Sequence, residues 1–243
     1  MDIHDKLIES MTPGLTADRV LIGAFVTVVQ AGDRAGLSTT LRPATRPHSA
    51  PAVREPGSLS GRPLSELARL VFSENPMESS LGMAAINAGL PLAGIEAAPR
   101  NGADLLRDRA DHRNLAVIGH FHFIHELIPL TNSTVILELD PREGDLPASQ
   151  AERVIPQADV VAITGSAFSN RTIERLLEFA RGKWVMVMGP TTPLSPILFD
   201  YGVDAIAGSV VSDLDLTLRQ AAQGAIFKQL EGARRVLLEK PRA

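Results

Sequence analysis

Three histidines and a glutamate fall within nine residues of this chain, in the segment GHFHFIHEL that begins at Gly119. Imidazole and carboxylate groups are ligands for divalent metals, and imidazole also exchanges protons near neutral pH. If a helix begins near Phe121, then His122, His125 and Glu126 share one face, because each helical residue advances by about 100°.

The segment has three interpretations. It predicts a site for a divalent transition metal formed by His120, His122 and His125, or a site that contacts a ligand through His120 alone. The third interpretation is an ordinary helix start with solvated histidines. Zinc motifs on helices more often pair histidines at i and i+4 than at i and i+3, so the spacing alone does not decide.

A predicted parallel sheet positions these histidines. From residue 114 onward the chain alternates amphipathic stretches with the apolar runs LAVIGHF, TVILELDP, ADVVAITGS, KWVMVMGP and VDAIAGSVV. Near-continuous runs of this kind are typical of strands buried on both faces of a parallel sheet. The pattern predicts a Rossmann-like α/β domain over residues 100–243. Ligands of such sheets bind beyond the carboxyl ends of the strands, so His120, just after the first strand, is expected at a binding crevice.

The first part of the chain predicts a small α+β domain over residues 1–99. After a first helix, RVLIGAFVTVVQAGDRAGLSTTL contains two β-rich runs around Gly-Asp-Arg-Ala-Gly, which predicts a hairpin. The proline-rich stretch at 43–63 predicts a long surface loop, and two helices follow, giving a ββαα-like unit. The polar stretch APRNGADLLRDRADHRN places the domain boundary between residues 99 and 100.

The second strand end offers a possible acceptor for a ribose hydroxyl. Glu138 and Asp140 in LELDP lie about 20 residues after Gly119, the usual spacing for that role in dinucleotide-binding domains. The glycine-rich turn of those domains is missing, since Gly119 is followed by His and Phe. A close approach to a pyrophosphate is therefore disfavoured, whereas an adenosyl or nucleoside ligand remains open.

Polar side chains also follow the later strands. A helix cap or a small polar pocket is expected at Thr164, Gly165, Ser166, Asn170 and Thr172, and Asn170 is the N-cap candidate. In MGPTTPLSP, the proline-stiffened path after Gly189 predicts that Thr191, Thr192 and Ser195 face the crevice.

Asp213 follows the fifth strand run and is expected either to begin the last helix or to accept a hydrogen bond from a ligand.

Composition excludes several classes of function. The chain has no cysteine, which excludes disulfides, thiolate metal sites and cysteine nucleophiles. Its net charge of −4 gives no sign of nucleic-acid binding, and no apolar run approaches the length of a membrane span. We expect a cytoplasmic protein without nucleic-acid or membrane partners. Nucleophile-elbow, Walker A and HExxH motifs are absent, so no reaction class follows from motifs.

Six segments of the chain, in their order, resemble a family of prokaryotic proteins of unknown function that is described in terms of heavy-metal chelation. These segments are GLSTTL, SLGMAAINA, VIGHF, LELDP, ITGSAFSNRTIERLL and MGPTTPLSPILFDYGVDAIAG. The resemblance covers nearly the whole chain. It implies an enolase-N-terminal-like domain followed by a Rossmann-like domain. It also implies a ligand crevice between the two domains.

The leading hypothesis is a homodimer that binds a small ligand, a metal ion or a metal complex in this crevice, in metal homeostasis or metallocofactor metabolism. The predicted ligand-binding residues are Gly119, His120, Glu138, Thr164, Gly165, Asn170, Gly189, Thr191 and Asp213. The rival hypothesis is an enzyme that binds an adenosyl or nucleotide cofactor through Glu138 and uses His120 as a general acid or base. A scaffold protein without a functional crevice is the third hypothesis.

Overall fold

The computed structural model describes residues 2–43, 45, 51–92 and 101–241. Outside these ranges lies the predicted domain boundary between residues 99 and 100. The same holds for residues 44 and 46–50 of the predicted loop 43–63. The described remainder of that loop, residues 51–63, contains no helix or strand.

The first part of the chain forms a three-stranded antiparallel sheet in the order β1-β2-β3, with helices packed on it. Its elements are α1 (Ile3–Glu9), β1 (Arg19–Ile22), β2 (Val26–Ala31), β3 (Arg34–Thr39), α2 (Leu64–Ala68) and α3 (Pro76–Gly89). The ββαα prediction was wrong in the number of strands, because the first β-rich run folds back on itself. Gly23 makes this turn possible: its N–H donates to the Val26 carbonyl, and a Cβ at Gly23 would lie 2.7 Å from that oxygen.

Gly36 belongs to a strand and not to the predicted turn. The turn between β2 and β3 falls at Gly32, whose φ of 62° favours glycine, whereas Gly36 lies inside β3. Helix α3 crosses β3 so closely there that a Cβ on Gly36 would be 2.1 Å from the Ala84 carbonyl oxygen. This glycine therefore fixes how near α3 sits to the sheet.

The second part of the chain forms a seven-stranded sheet in the order β10-β9-β8-β7-β4-β5-β6, parallel except for β10. Its strands are β4 (Asn114–Ile118), β5 (Ser133–Glu138), β6 (Leu146–Pro147), β7 (Val160–Thr164), β8 (Trp184–Met188), β9 (Ala205–Val211) and β10 (Ala233–Glu239). Its helices are α4 (Gly102–Ala110), α5 (Ile124–Leu127), α6 (Ala151–Val154), α7 (Ser166–Ser169), α8 (Ile173–Phe179), α9 (Ile197–Asp200) and α10 (Leu214–Ala222). The predicted fold class is confirmed: a small antiparallel sheet precedes a large, mostly parallel sheet flanked by helices.

The strand order creates a switch point between β4 and β7. From β4 the chain proceeds to β5 and β6 on one side, and then returns to β7, β8 and β9 on the other. Open α/β sheets bind ligands where the order reverses, outside the carboxyl ends of the strands. The residues that follow β4 and β7 are therefore the first places to look for a site.

One continuous cluster of buried apolar side chains joins the two sheets. It includes Ile3, Leu67 and Ile86 from the first part of the chain, and Ile163 and Phe168 from the second. Helix α3 contacts β2 and β3 on one side and α7 on the other. Within the described ranges, no helix combines the length and the apolar character needed to cross a bilayer.

Candidate functional site

A cavity of about 1750 Å³ lies over the carboxyl ends of the central strands of the large sheet. Residues at or just after the ends of β4, β5, β7 and β8 line it, among them Gly119, Glu138, Thr164 and Gly189. Side chains from the first part of the chain, including Thr39 and Ser79, also contribute to its wall. A cavity is therefore present at the switch point, and both parts of the chain line it.

A carboxylate orients the side chain of His120 in this cavity. Its Nε2 lies 2.8 Å from Oδ2 of Asp145, whose side chain is 4% exposed, while the imidazole itself is 29% exposed. Because an ionised carboxylate can only accept a hydrogen bond, Nε2 of His120 carries the proton. In the neutral ring, Nδ1 then holds a free lone pair. Among the described residues, Nδ1 has no hydrogen-bond partner.

Asp145 is fixed in its turn by the backbone. The N–H of Arg142 donates to the same Oδ2 at 2.8 Å, and the N–H of Asp145 donates to the carbonyl of Arg142. The Arg142 N–H, and to a smaller degree His120, hold the pKa of Asp145 below its ordinary value, against the opposing effect of desolvation. Asp145 is therefore ionised at neutral pH and serves as a fixed acceptor for His120.

Two glycines shape the backbone at the strand ends. Gly119 has a φ of 95°, and a Cβ there would lie 2.9 Å from Cβ and Cγ2 of Thr164. Gly189, at the end of β8, has a φ of 126°, a conformation that side chains rarely adopt. These positions let the chain turn directly from strand to cavity wall.

His122, His125 and Glu126 do not share a helix face. Helix α5 begins only at Ile124, so His122 precedes it in a turn and the helical periodicity does not relate His122 to His125. His122 lines the cavity and packs its ring edge-on against Phe123, whereas His125 is exposed and lies outside the lining. The face assigned to His122, His125 and Glu126 was therefore wrong.

Three other predicted residues line the cavity. Glu138 ends β5, and its carboxylate accepts from the N–H of Leu139 at 3.1 Å. Thr164 ends β7, and its hydroxyl accepts from the N–H of Ser166 at 3.3 Å. Asn170 accepts from the N–H and the hydroxyl of Thr172, as expected for a capping side chain, although Thr172 and not Asn170 stands at the N-cap of α8.

Three of the predicted ligand-binding residues lie outside the cavity lining. Thr191 is fully buried, and its hydroxyl accepts from the N–H of Thr39 at 2.9 Å. Gly165 packs against Thr192, since a Cβ on Gly165 would be 2.5 Å from the Thr192 hydroxyl oxygen. Asp213 caps α10 by accepting from the N–H of Leu216 at 3.0 Å.

The loop after β8 therefore turns its hydroxyl groups away from the predicted crevice. Thr191, Thr192 and Ser195 are all buried, and Asn87 of α3 donates to the carbonyls of Leu37 and Thr191, which joins the two parts of the chain. Thr191 and Asn87 therefore connect this loop to β3 and α3. The expectation that the three hydroxyl residues face the crevice was wrong.

Aromatic and basic side chains give the cavity its chemical character. Of the eight phenylalanines in the chain, four line it, and the rings of Phe121 and Phe123 lie nearly parallel at 5.8 Å between centroids. These four are Phe121, Phe123, Phe179 and Phe227. Of the lining arginines, Arg107, Arg171 and Arg175 are paired with carboxylates.

A free metal ion does not fit the donor set. In the described ranges, no three His, Cys, Asp or Glu side chains come together in a group that could hold a metal ion. Sites for a divalent transition metal normally take three or four protein ligands. The cavity supplies one oriented imidazole. This imidazole can fill one coordination position of a metal whose other ligands come from a bound organic molecule.

The fold and site define a class of protein: a mixed α/β protein with a large cavity at the switch point of its parallel sheet. A histidine held by a carboxylate lines this cavity. The sequence profile of the DUF364 family, described as "Putative heavy-metal chelation", matches residues 101–239, and that of the DUF4213 family, with the same description, matches residues 4–90. The chain belongs to the DUF364 family.

Related proteins share this architecture. The chain is similar to a protein of unknown function from the DUF364 family of Desulfitobacterium hafniense, with a TM-score of 0.86, 30% identity and 98% of each chain covered. A protein of unknown function from the same family of Pyrococcus horikoshii shares the fold at 21% identity, with a TM-score of 0.80 and 98% of each chain covered. The chain is 29% identical to an uncharacterized protein of Methanocaldococcus jannaschii over an alignment of 182 positions, which covers 68% of each chain.

Sequence reasoning missed Asp145. It lies 25 positions after His120, in the loop between β5 and β6, and only the tertiary path brings the two together. No motif marks this aspartate among the acidic residues of the segment DPREGD.

Proposed function

We propose that the protein binds a small organic ligand that carries a metal ion in the cavity at the switch point, in heavy-metal handling or metallocofactor metabolism. The observation that carries this proposal is the His120–Asp145 pair at the end of β4. Metal-binding histidines characteristically donate their second ring nitrogen to a carboxylate or carbonyl, which fixes the ring and raises its basicity. The description of the family supports the same kind of ligand.

The size and lining of the cavity favour a complex over an ion. Ligand pockets of about 300–1,000 Å³ hold drug-sized molecules, and this cavity, at about 1750 Å³, exceeds that range. Of the three histidines predicted as metal ligands, the proposal keeps His120 and leaves out His122 and His125. Gly119, Glu138, Thr164, Asn170 and Gly189 remain proposed ligand contacts.

The test compares the native and denatured masses of protein purified without chelator. The wild type should carry an excess of several hundred daltons, and metal analysis should find the metal in the same fraction. His120→Ala should lose most of the excess, whereas the control His125→Ala changes an exposed histidine of the same segment and should keep it. The proposal fails if the wild type carries no excess, or if both variants keep it equally.

The rival proposal is an adenosyl or nucleotide ligand. Glu138 favours it, because this carboxylate stands at the end of β5, beside β4, where such domains place the acceptor for ribose hydroxyls. Glu138→Gln should then abolish the mass excess, and the excess itself should match a nucleoside. If Glu138→Gln keeps the excess and His120→Ala loses it, the rival is rejected.

Three broader predictions also remain proposals. The two family profiles cover separate halves of the chain, which supports a domain division near residue 100. We further propose a cytoplasmic location from the composition. The homodimer is kept as a prediction that sedimentation of the purified protein can test.

A further inference from the structure

We propose that the ligand is a flat four-nitrogen metal macrocycle of the tetrapyrrole class, whose metal takes Nδ1 of His120 as an axial ligand. This inference rests on the proposed function and names the chemical class of its ligand.

The number of protein donors selects this class. Among the described lining residues, His120 is the one imidazole that a carboxylate holds in a fixed orientation. The described residues offer no group of three metal ligands around it. A metal bound through one imidazole must bring its remaining donors with it. A tetrapyrrole supplies four donors in a plane and leaves the axial position free, as in proteins that hold haem by a single proximal histidine.

The aromatic lining selects a flat ligand. Phe121 follows His120 directly, and its ring is stacked nearly parallel to that of Phe123, with an interplanar angle of 24°. Leu139, next to the end of β5, is 70% exposed although it lines the same cavity. Aromatic faces and exposed apolar side chains gain most when a large flat ring covers them.

The charges of the cavity favour an anionic macrocycle. Arg107, Arg171 and Arg175 already have carboxylate partners. Lys228 and Arg235 line the cavity and form no ion pair with a described carboxylate. Among the described carboxylates of the lining, only Glu138 has no basic partner. The positive excess suits the carboxylate side chains that tetrapyrroles carry, because guanidinium and ammonium groups bind carboxylates strongly.

The experiment titrates the full chain with three probes: zinc protoporphyrin, metal-free protoporphyrin and zinc chloride. Binding of the macrocycles is followed by the shift of their main visible absorption band. Zinc protoporphyrin should bind tightest, the metal-free ring at least about 10-fold more weakly, and zinc chloride should not compete. His120→Ala should weaken binding of the zinc macrocycle at least about 10-fold, and His125→Ala should not.

Asp145→Asn tests the positioning residue without removing the imidazole. Loss of a carboxylate partner of a metal-binding histidine typically weakens metal binding about 10- to 100-fold. Added imidazole should restore the absorption band of the zinc macrocycle in His120→Ala, because it can occupy the space that the side chain leaves. This rescue separates a coordination role from a purely structural one.

Three results would overturn the inference. The first is equal binding of zinc and metal-free protoporphyrin, and the second is unchanged binding in His120→Ala. The third is that neither macrocycle binds, although protein purified from cells carries another organic ligand. In that case the proposed function stands, and the proposed class of ligand is wrong.

Discussion

Replacement of Thr191 by valine should destabilise the protein, because Thr191 joins the loop after β8 to the small sheet. Its hydroxyl oxygen accepts from the N–H of Thr39 at 2.9 Å, and the residue is 0% exposed. Valine keeps the shape and removes the acceptor, so the Thr39 N–H is left without its partner.

The expected loss follows from the cost of an unsatisfied donor, about 1–3 kcal/mol. For a chain of this size, a loss of 1 kcal/mol lowers Tm by about 2–4 °C. A central value of about 2 kcal/mol therefore corresponds to a decrease of roughly 4–8 °C. Urea unfolding gives the free energy, and calorimetry gives Tm.

Thr192→Val is the matched control. Thr192 is 2% exposed, and among the described residues its hydroxyl oxygen has no hydrogen-bond partner. Removing this hydroxyl should leave stability unchanged or raise it. Equal losses in the two variants, or a larger loss in Thr192→Val, would refute the assignment of Thr191 as the residue that joins the sheets.

Three further variants test the account. Gly36→Ala should cost at least about 1–3 kcal/mol, because its Cβ would meet the Ala84 carbonyl at 2.1 Å, and an unchanged urea midpoint would contradict the close approach of α3. Burial raises the pKa of Glu78, but hydrogen bonds from Arg54 and Ser73 outweigh burial and place the pKa below 4.5. The stabilisation from Glu78 is therefore present above about pH 4.5 and is lost as pH falls through the lowered pKa. Glu78→Gln should be less stable than wild type at about pH 6, and this deficit should shrink as pH is lowered below about 4.5. A deficit in urea unfolding that stays the same as pH falls would argue against this. Gly119→Ala, at a φ of 95° and with its Cβ 2.9 Å from Thr164, should displace His120 and weaken ligand binding, whereas Gly182→Ala, also at positive φ but in open space, should bind ligand normally in the same titration.

The parallel sheet could be predicted because its strands are almost continuously apolar. Five strands follow from this pattern, and so does the expectation that His120 lies just after the first of them. Strand β10 was missed, since Arg234 and Arg235 interrupt its apolar pattern at the sheet edge. The short pair of residues in β6 carries no periodic signal at all.

The candidate site was predicted only in part, because tertiary contacts decide which side chains reach the cavity. Gly189 and Thr191 are two positions apart, yet Gly189 lines the cavity and Thr191 accepts from the small sheet. The early start assumed for α5 gave His122 and His125 a common face that the structure does not have. Asp145 could not be chosen from the sequence, since its contact with His120 depends on the path of the loop after β5.

The most direct test of the central claim is a crystal structure of protein purified without chelator, with anomalous diffraction recorded at the absorption edge of the metal found by elemental analysis. We predict one anomalous peak in contact with Nδ1 of His120, surrounded by density for an organic ligand beside Phe121. A peak at any other histidine, or organic density that leaves the cavity at the switch point free, would contradict the account.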